Sequence, residues 1–260
     1  MSKDIRIKKG LNINLVGEAE KSIENAIISN YYAIRPEDFH SIIPKMVTKV
    51  GSKLKAGETV FYDKNNENVK FVSPVSGEII EIARGEKRRI LEIKIQADKE
   101  QVYQDNGKLD VDGAAKEEVL GKLLKSGCWP FIKQRPYDVV ANPEKAPKAI
   151  FISGYASAPL AADLDFTLQG KETELQAAVT ALSKLTEGKV HVSVGSSNSI
   201  FSGLNDVITH KVSGPHPSGN VGTLINKVDP INKGEVVWTV NAQDLVIICL
   251  LYTSPSPRDS

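Results

Sequence analysis

Residues 50–80 read VGSKLKAGETVFYDKNNENVKFVSPVSGEII, and their reading decides the first half of the fold. Apolar side chains alternate with polar ones on either side of Gly51 and Gly57, where the chain needs tight turns. Val69-Lys70-Phe71-Val72 then runs into Ser73-Pro74-Val75-Ser76-Gly77, a turn. Two strands joined by a long hairpin and closed by a turn are predicted.

This layout resembles that of biotinyl/lipoyl domains, in which the acceptor lysine sits on the exposed hairpin tip between methionines. Counted back from Pro74, the acceptor position falls on Asn66, inside Asp63-Lys64-Asn65-Asn66-Glu67. Lys64 lies two positions early and has no flanking methionine, so it reads as a solvated turn lysine. The scaffold is expected to serve docking, with no prosthetic group.

Composition narrows the class. The chain has 260 residues, 41% hydrophobic and 25% charged, enough for one large or two ordinary domains. Lys and Arg total 33 against 32 Asp and Glu, so no basic excess favours nucleic acid as a partner. No signal-peptide h-region follows the charged N-terminus, and no run of about 18 apolar residues occurs, so neither export nor membrane crossing is expected. Cys128 and Cys249 form no C-x-x-C pair and cannot by themselves hold an iron-sulfur cluster or structural zinc.

The remainder divides in two. Residues 1–100 read as a mostly β, biotinyl/lipoyl-like sandwich, with near-strict alternation in Ile90-Leu91-Glu92-Ile93-Lys94-Ile95. Residues 101–248 read as a Rossmann-like α/β domain opened by a linker and a helix at 116–125. A strand at 148–153, a helix at 172–185 capped by Thr173 or the residues before it, and a strand at 189–194 make a β-α-β unit. A short helix at 199–206 and a strand at 207–212 extend it. Leu245-Val246-Ile247-Ile248 reads as a buried strand. Residues 249–260, CLLYTSPSPRDS, read as a non-native tail, so the C-terminal part of the natural chain is expected to be missing.

A Rossmann-like domain raises the question of a phosphate loop. Ser153-Gly154-Tyr155-Ala156-Ser157-Ala158-Pro159 holds one glycine where a dinucleotide fingerprint needs three. Gly195-Ser196-Ser197-Asn198-Ser199 is expected to cap the following helix. His40, His191, His210 and His216 lack metal-ligand spacing, and Asp163 and Asp165 read as capping or turn residues. No catalytic residue, bound cofactor or metal is assigned to this chain.

Two loops are distinctive. One joins Gly127, Cys128, Trp129, Pro130, Phe131, Ile132, Lys133, Gln134, Arg135, Pro136 and Tyr137; the other is Ser213-Gly214-Pro215-His216-Pro217-Ser218-Gly219-Asn220-Val221-Gly222. With Ile5-Arg6-Ile7-Lys8-Lys9-Gly10-Leu11 and Pro159-Leu160-Ala161-Ala162-Asp163, they closely resemble the A-subunit family of bacterial Na+-translocating NADH:quinone reductases, the Nqr complexes.

That resemblance implies a peripheral subunit on the cytoplasmic face of the bacterial inner membrane, in a complex that couples electron transfer from NADH to quinone with Na+ export. Flavins and an iron-sulfur centre are expected in partner subunits, and quinone as a substrate of the complex. The family is similar to the flavin-bearing subunit of respiratory complex I and to the C subunit of the Rnf complex, whose Gly-rich loop and clustered cysteines this chain lacks. Quinone or partner contact is expected at Trp129, Phe131, Arg135, Pro136 and Tyr137, with Ile34, Arg35 and Pro36 as a second candidate. Gly214, Pro215, His216, Pro217 and Gly219 are expected to form a docking loop. The alternative is a carrier-like or docking module of another electron-transport complex, of the Rnf C kind.

Overall fold

A computed structural model describes residues 2–17 and 19–253. It opens with a three-residue strand β1 (Asp4–Arg6) and passes through an exposed extended segment to the β-rich part. There β2 (Tyr31–Ile34), β3 (Pro44–Met46), β4 (Lys53–Leu54), β5 (Thr59–Asp63), β6 (Asn66–Val72), β7 (Gly77–Arg84) and β8 (Ile90–Ala97) form two sheets. One has the order β2-β8-β7-β4, the other β3-β5-β6. All their described pairings are antiparallel.

The alternation in the sequence is the cause. Ile79, Ile93 and Ile95 are fully buried, while Ile80 and Lys94 beside them are less so; the adjacent Val60 and Phe61 are both fully buried, where the β5–β6 register shifts. Phe61 stacks on Phe71 with ring centroids 4.6 Å apart, and Phe39 meets Phe71 edge-on at 4.7 Å. The expected long hairpin is a tight one: Asp63 pairs with Asn66 across a turn at Lys64-Asn65. Asp63 fixes that turn by accepting from the Asn65 and Ile43 amides at 3.1 and 3.0 Å. Lys64 therefore occupies the tip, where counting from Pro74 placed Asn66.

Helix α1 (Lys116–Lys125) buries Val119 and Leu123 and groups with this β-rich unit. Gly127 ends it with a φ of +74°, and the Cys128 amide reaches back to the Leu123 carbonyl at 3.2 Å, a Schellman-type closure. Short strands β9 (Lys133–Arg135) and β10 (Val139–Val140) follow.

The α/β unit comprises residues up to Glu24, Gln134–Pro136 and Pro143–Val246. Compactness therefore does not follow chain order: β1, expected to open the β half, joins the α/β sheet. Strands β11 (Ile150–Ser153), β12 (Val190–Val194), β13 (Val207–Ser213) and β14 (Val237–Asn241) stand with β1 in the order β1-β13-β12-β11-β14, parallel throughout, and β9 lies next to β14. Such strands are covered on both faces, and all five residues of β12 are buried.

Helix α2 (Leu164–Thr167) is one turn, capped by Asp163. Helix α3 (Glu172–Ser183) buries Leu175, Ala178, Val179 and Leu182, an i, i+3, i+4, i+7 stripe. Its N-cap is Lys171, one of the residues before Thr173, and no side chain caps it. Ser199 caps only a short 3-10 turn, Ile200–Gly203, where a longer helix was expected. Helix α4 (Val221–Val228) packs Leu224 and Ile225 into a core with Ile5, Phe151 and Val212. The strand expected at Leu245–Ile248 is instead inside helix α5 (Ala242–Thr253), which continues through a buried Cys249. A short apolar run suits either state; the turn out of β14 starts a helix. Of the segment read as a non-native tail, residues 254–260 lie outside the described residues.

β1 is tied to the sheet by a histidine chain. The Lys3 amide donates to His210 Nδ1 at 3.2 Å, so His210 carries its proton on Nε2 and gives it to His191 Nδ1, 3.0 Å away. His191 also stacks on Phe151 at 4.8 Å. Burial, then the neighbouring His210, lowers the His191 pKa to about 4; burial, then Lys3, lowers that of His210. Both folded values lie below the unfolded one. Their contribution to stability is complete above about pH 6.5 and is lost as pH falls toward 4. The melting temperature should therefore decline across that window, and His191→Phe, which keeps the stack, should show a shallower decline. Parallel slopes for the two proteins in a pH-resolved melting series would contradict this.

Candidate functional site

Strand order locates the site. From β11 the chain moves to β12 and β13 on one side, then returns through α4 to β14 on the other, so the order reverses between β11 and β14. Parallel α/β sheets open a crevice at such a point, beyond the carboxyl ends of the strands. Here the crevice has a volume of about 790 Å³ and is lined by Ser153 at the end of β11, Asn241 at the end of β14, Arg135 at the end of β9 and the first turn of α4. A neighbouring lobe of about 380 Å³ shares Tyr155 and reaches Gly195.

The loops after β11 and β13 are stitched together across one wall. Ser153 Oγ lies 2.7 Å from the Gly219 carbonyl and 2.8 Å from that of Tyr155. The Gly219 amide donates to Ser157 Oγ at 2.7 Å, and the same hydroxyl pairs with His216 Nδ1 at 3.1 Å. Only glycine fits at 219, because a Cβ there would sit 2.4 Å from the Ser157 nitrogen and 2.8 Å from the Tyr155 oxygen. From behind, the Leu11 amide donates to the His216 carbonyl, and Asn12 Oδ1 accepts from the His216 amide. Gly214, Pro215, His216, Pro217 and Gly219, expected as a docking loop, are thus fastened into the α/β unit, with Pro217 and Gly219 in the crevice wall.

The aromatic and basic candidates separate. Arg135 lines this crevice and is followed by a cis peptide to Pro136, which is exposed. Trp129 is fully buried and donates its indole N–H to the Ala141 carbonyl at 2.7 Å, so its ring is a core element with no face for a ligand. Phe131 is half-buried in the 3-10 turn beside it.

Tyr137 is 81% exposed and joins Pro36, Phe39, His40 and Arg89 around a cavity of about 460 Å³ within the β-rich unit. Glu37 pairs with Arg35 and lies 3.4 Å from Arg89, while Ile34 is buried. Two of the expected residues from distant sequence positions, Pro36 and Tyr137, therefore line one cavity.

The carboxylates of the small lobe are committed to structure. Asp163 caps α2 and pairs with Lys21 at 2.6 Å; the Lys21 hydrogen bond holds its carboxyl below the usual range. Asp165 accepts from Ser199 Oγ at 2.7 Å and from the Ile200 amide at 3.1 Å. Among the described residues no three His, Cys, Asp or Glu side chains converge as a metal site would require. The sequence points to a ligand loop after β11. That reading missed Asn241 and the α4 start, whose signal was Gly214-x4-Gly219-x2-Gly222 between strand and helix.

Two family models match the chain: the NqrA N-terminal barrel-sandwich hybrid domain over residues 5–98 and the NqrA second alpha/beta domain over residues 114–255. Similar curated proteins are the A subunits of the Na(+)-translocating NADH-quinone reductases of Marinomonas sp. (strain MWYL1) and of Yersinia pestis, each 34% identical over 96% of this chain and 56% of the relative. That of Neisseria meningitidis serogroup A is 33% identical over 96% of this chain and 57% of its own length. The chain thus spans just over half the length of these relatives.

The stitched wall gives a direct test. Gly219→Ala should destabilise the chain by about 1–3 kcal/mol, because backbone rather than a flexible side chain must yield. At roughly 2–4 °C per kcal/mol, the melting temperature should fall measurably; an unchanged value would show that the two loops do not meet as described.

Proposed function

The chain belongs to the NqrA family, and on that premise we propose that it works as the peripheral NqrA portion of a Na+-translocating NADH:quinone reductase, binding partner subunits and contacting quinone. Identity of 34% over 96% of the chain carries the reading. In this proposal the complex couples electron transfer from NADH to quinone with Na+ export. The flavins and the iron-sulfur centre reside in partner subunits, and the chain sits at the cytoplasmic face of the inner membrane. Among the described residues no helix is long and apolar enough to cross a membrane, which suits attachment through partners.

The chain itself supplies contact surfaces rather than redox chemistry. A dinucleotide pyrophosphate needs glycine backbone at the end of the first strand, and here Ser153 and Gly219 close that approach. Quinone contact is assigned to Tyr137 and the cavity it shares with Pro36. An exposed phenol ring on a rigid proline-bounded turn presents a face for stacking, and Arg89 lies in the same cavity to hydrogen-bond a carbonyl oxygen.

Tyr137→Ala tests the contact. An exposed ring adds little to folding, within about 0.5 kcal/mol, whereas an aromatic contact worth about 0.5–1.5 kcal/mol supplies a several-fold effect. Quinone reduction by the assembled complex should fall several-fold with the subunit's melting temperature unchanged. Wild-type activity in an assembled variant complex rejects the role.

The cofactor assignment is tested on the subunit purified from its native host. It should be colourless, and its intact mass should carry neither biotin nor lipoate on Lys64. A stoichiometric flavin band, or an added prosthetic mass, would overturn the assignment.

A further inference from the structure

The strap that leaves β1 carries apolar side chains into solvent. Leu11, Ile13 and Leu15 are 73%, 61% and 51% exposed, and Val16 is fully exposed. Single exposed aliphatics are ordinary, but four within six positions form a contiguous patch of the kind that marks an interaction surface.

The strap is fastened where it lies. Gly10 runs so close to the 213–222 loop that a Cβ would sit 2.0 Å from the His216 oxygen. The Leu11 amide donates to that carbonyl at 3.0 Å, and Asn12 Oδ1 accepts from the His216 amide at 2.9 Å. Further along, Lys21 pairs with Asp163 at 2.6 Å. Tied before and after, the aliphatic stretch has little ordering left to lose on binding.

A cationic stretch adjoins it. Arg6, Lys8 and Lys9 are exposed, and among the described residues no carboxylate pairs with any of them. Asp4 is the one carboxylate among residues 2–16, and it stands in register with Lys211 of β13. The 213–222 loop behind the strap holds no Lys, Arg, Asp or Glu. The end of α4 adds Lys227 and then Asp229, which is paired with Lys148 at 2.6 Å. The positive excess is thus local, in a chain whose formal net charge is +1.

The composition of the patch selects the surface it meets. Protein hot spots favour Trp, Tyr and Arg and under-use Leu and Val, and protein interfaces are depleted in Lys. A lipid surface asks for aliphatic side chains that enter the boundary of headgroups and acyl chains, beside lysines whose ammonium groups stay with the phosphates.

We infer that residues 6–16 dock on an anionic lipid surface, with Leu11, Ile13, Leu15 and Val16 entering the headgroup boundary and Arg6, Lys8 and Lys9 meeting the lipid phosphates. The contact is additional to attachment through partner subunits and independent of quinone contact at Tyr137.

Sedimentation of the whole chain with phosphatidylcholine vesicles, with and without about 30% phosphatidylglycerol, tests it. Binding should be about tenfold or more stronger on the anionic vesicles, and should weaken several-fold when NaCl is raised from ~0.05 to ~0.5 M. Each Lys or Arg near such a surface contributes about fivefold, so Lys8→Gln with Lys9→Gln should weaken binding about 25-fold. Ile13→Asp with Leu15→Asp should weaken it about tenfold or more. Both double variants should melt as the parent does, since the replaced side chains are exposed. The subunit purified from its native host should bind as this chain does. Three results overturn the inference: no preference for anionic vesicles, which would assign the strap to a protein surface; parental binding by either double variant; or binding by this chain but not by the native subunit, which would show that another part of the protein covers the strap.

Discussion

Strand β11 has no free side. Ile150, Phe151 and Ile152 are fully buried, β12 bonds one edge and β14 the other, and all three run parallel. A parallel strand in this position can be joined to its neighbours only by crossovers, and those must cover both faces of the sheet. Helices α3 and α4 meet that demand, and the return of α4 from β13 to β14 past β11 makes the strand order reverse there. The crevice follows from this reversal alone. Its walls are then set by the three segments delivered to the strand ends: the β11 loop, the α4 start and the β14 exit.

The β-rich half was legible because its constraint is local. A half-buried antiparallel strand must alternate, and residues 90–95 do so, with Ile93 and Ile95 inward. The turn itself was less legible. Asp63 and Asn66 pair directly, so the hairpin tip is set by hydrogen bonds from two amides to Asp63 rather than by spacing from Pro74. In the α/β half, β11, α3, β12 and β13 carried periodic signals long enough to read. Asp-Ile-Arg at the N-terminus did not, since three residues have no period, and its place beside β13 depends on a partner some 200 positions away. The helix at Ala242 was misjudged for the complementary reason: Leu245 to Ile248 is uniformly apolar, and uniform apolarity reports burial without reporting conformation.

Site residues were harder to read than strands because the contacts that define them join distant segments. Trp129 and Tyr137 sit eight positions apart in one aromatic stretch, yet the first is sealed inside with its N–H bonded to Ala141, and the second projects beside Pro36. Composition marks both as capable of stacking; only packing decides which ring keeps an open face. Pro36 and Tyr137 were both named from sequence, but nothing in either segment announces that they share a cavity. Likewise Ser153, Ser157 and Gly219 are ordinary residues until their loops are brought to hydrogen-bonding distance.

Topology and fingerprint answer different questions about such a crevice. The reversal of strand order creates a concavity whatever residues fill the loops, since it arises from where the crossovers must run. A glycine fingerprint adds a narrower property, the close approach of main chain to a pyrophosphate. In this chain the second is replaced by side-chain bonds: Ser153 and Ser157 occupy the Gly219 carbonyl and amide, groups that would otherwise be open to a ligand. Absence of the fingerprint therefore argues against a dinucleotide and leaves the concavity intact. The concavity that remains is lined by Arg135, Thr239 and the glycine-bearing start of α4 among others.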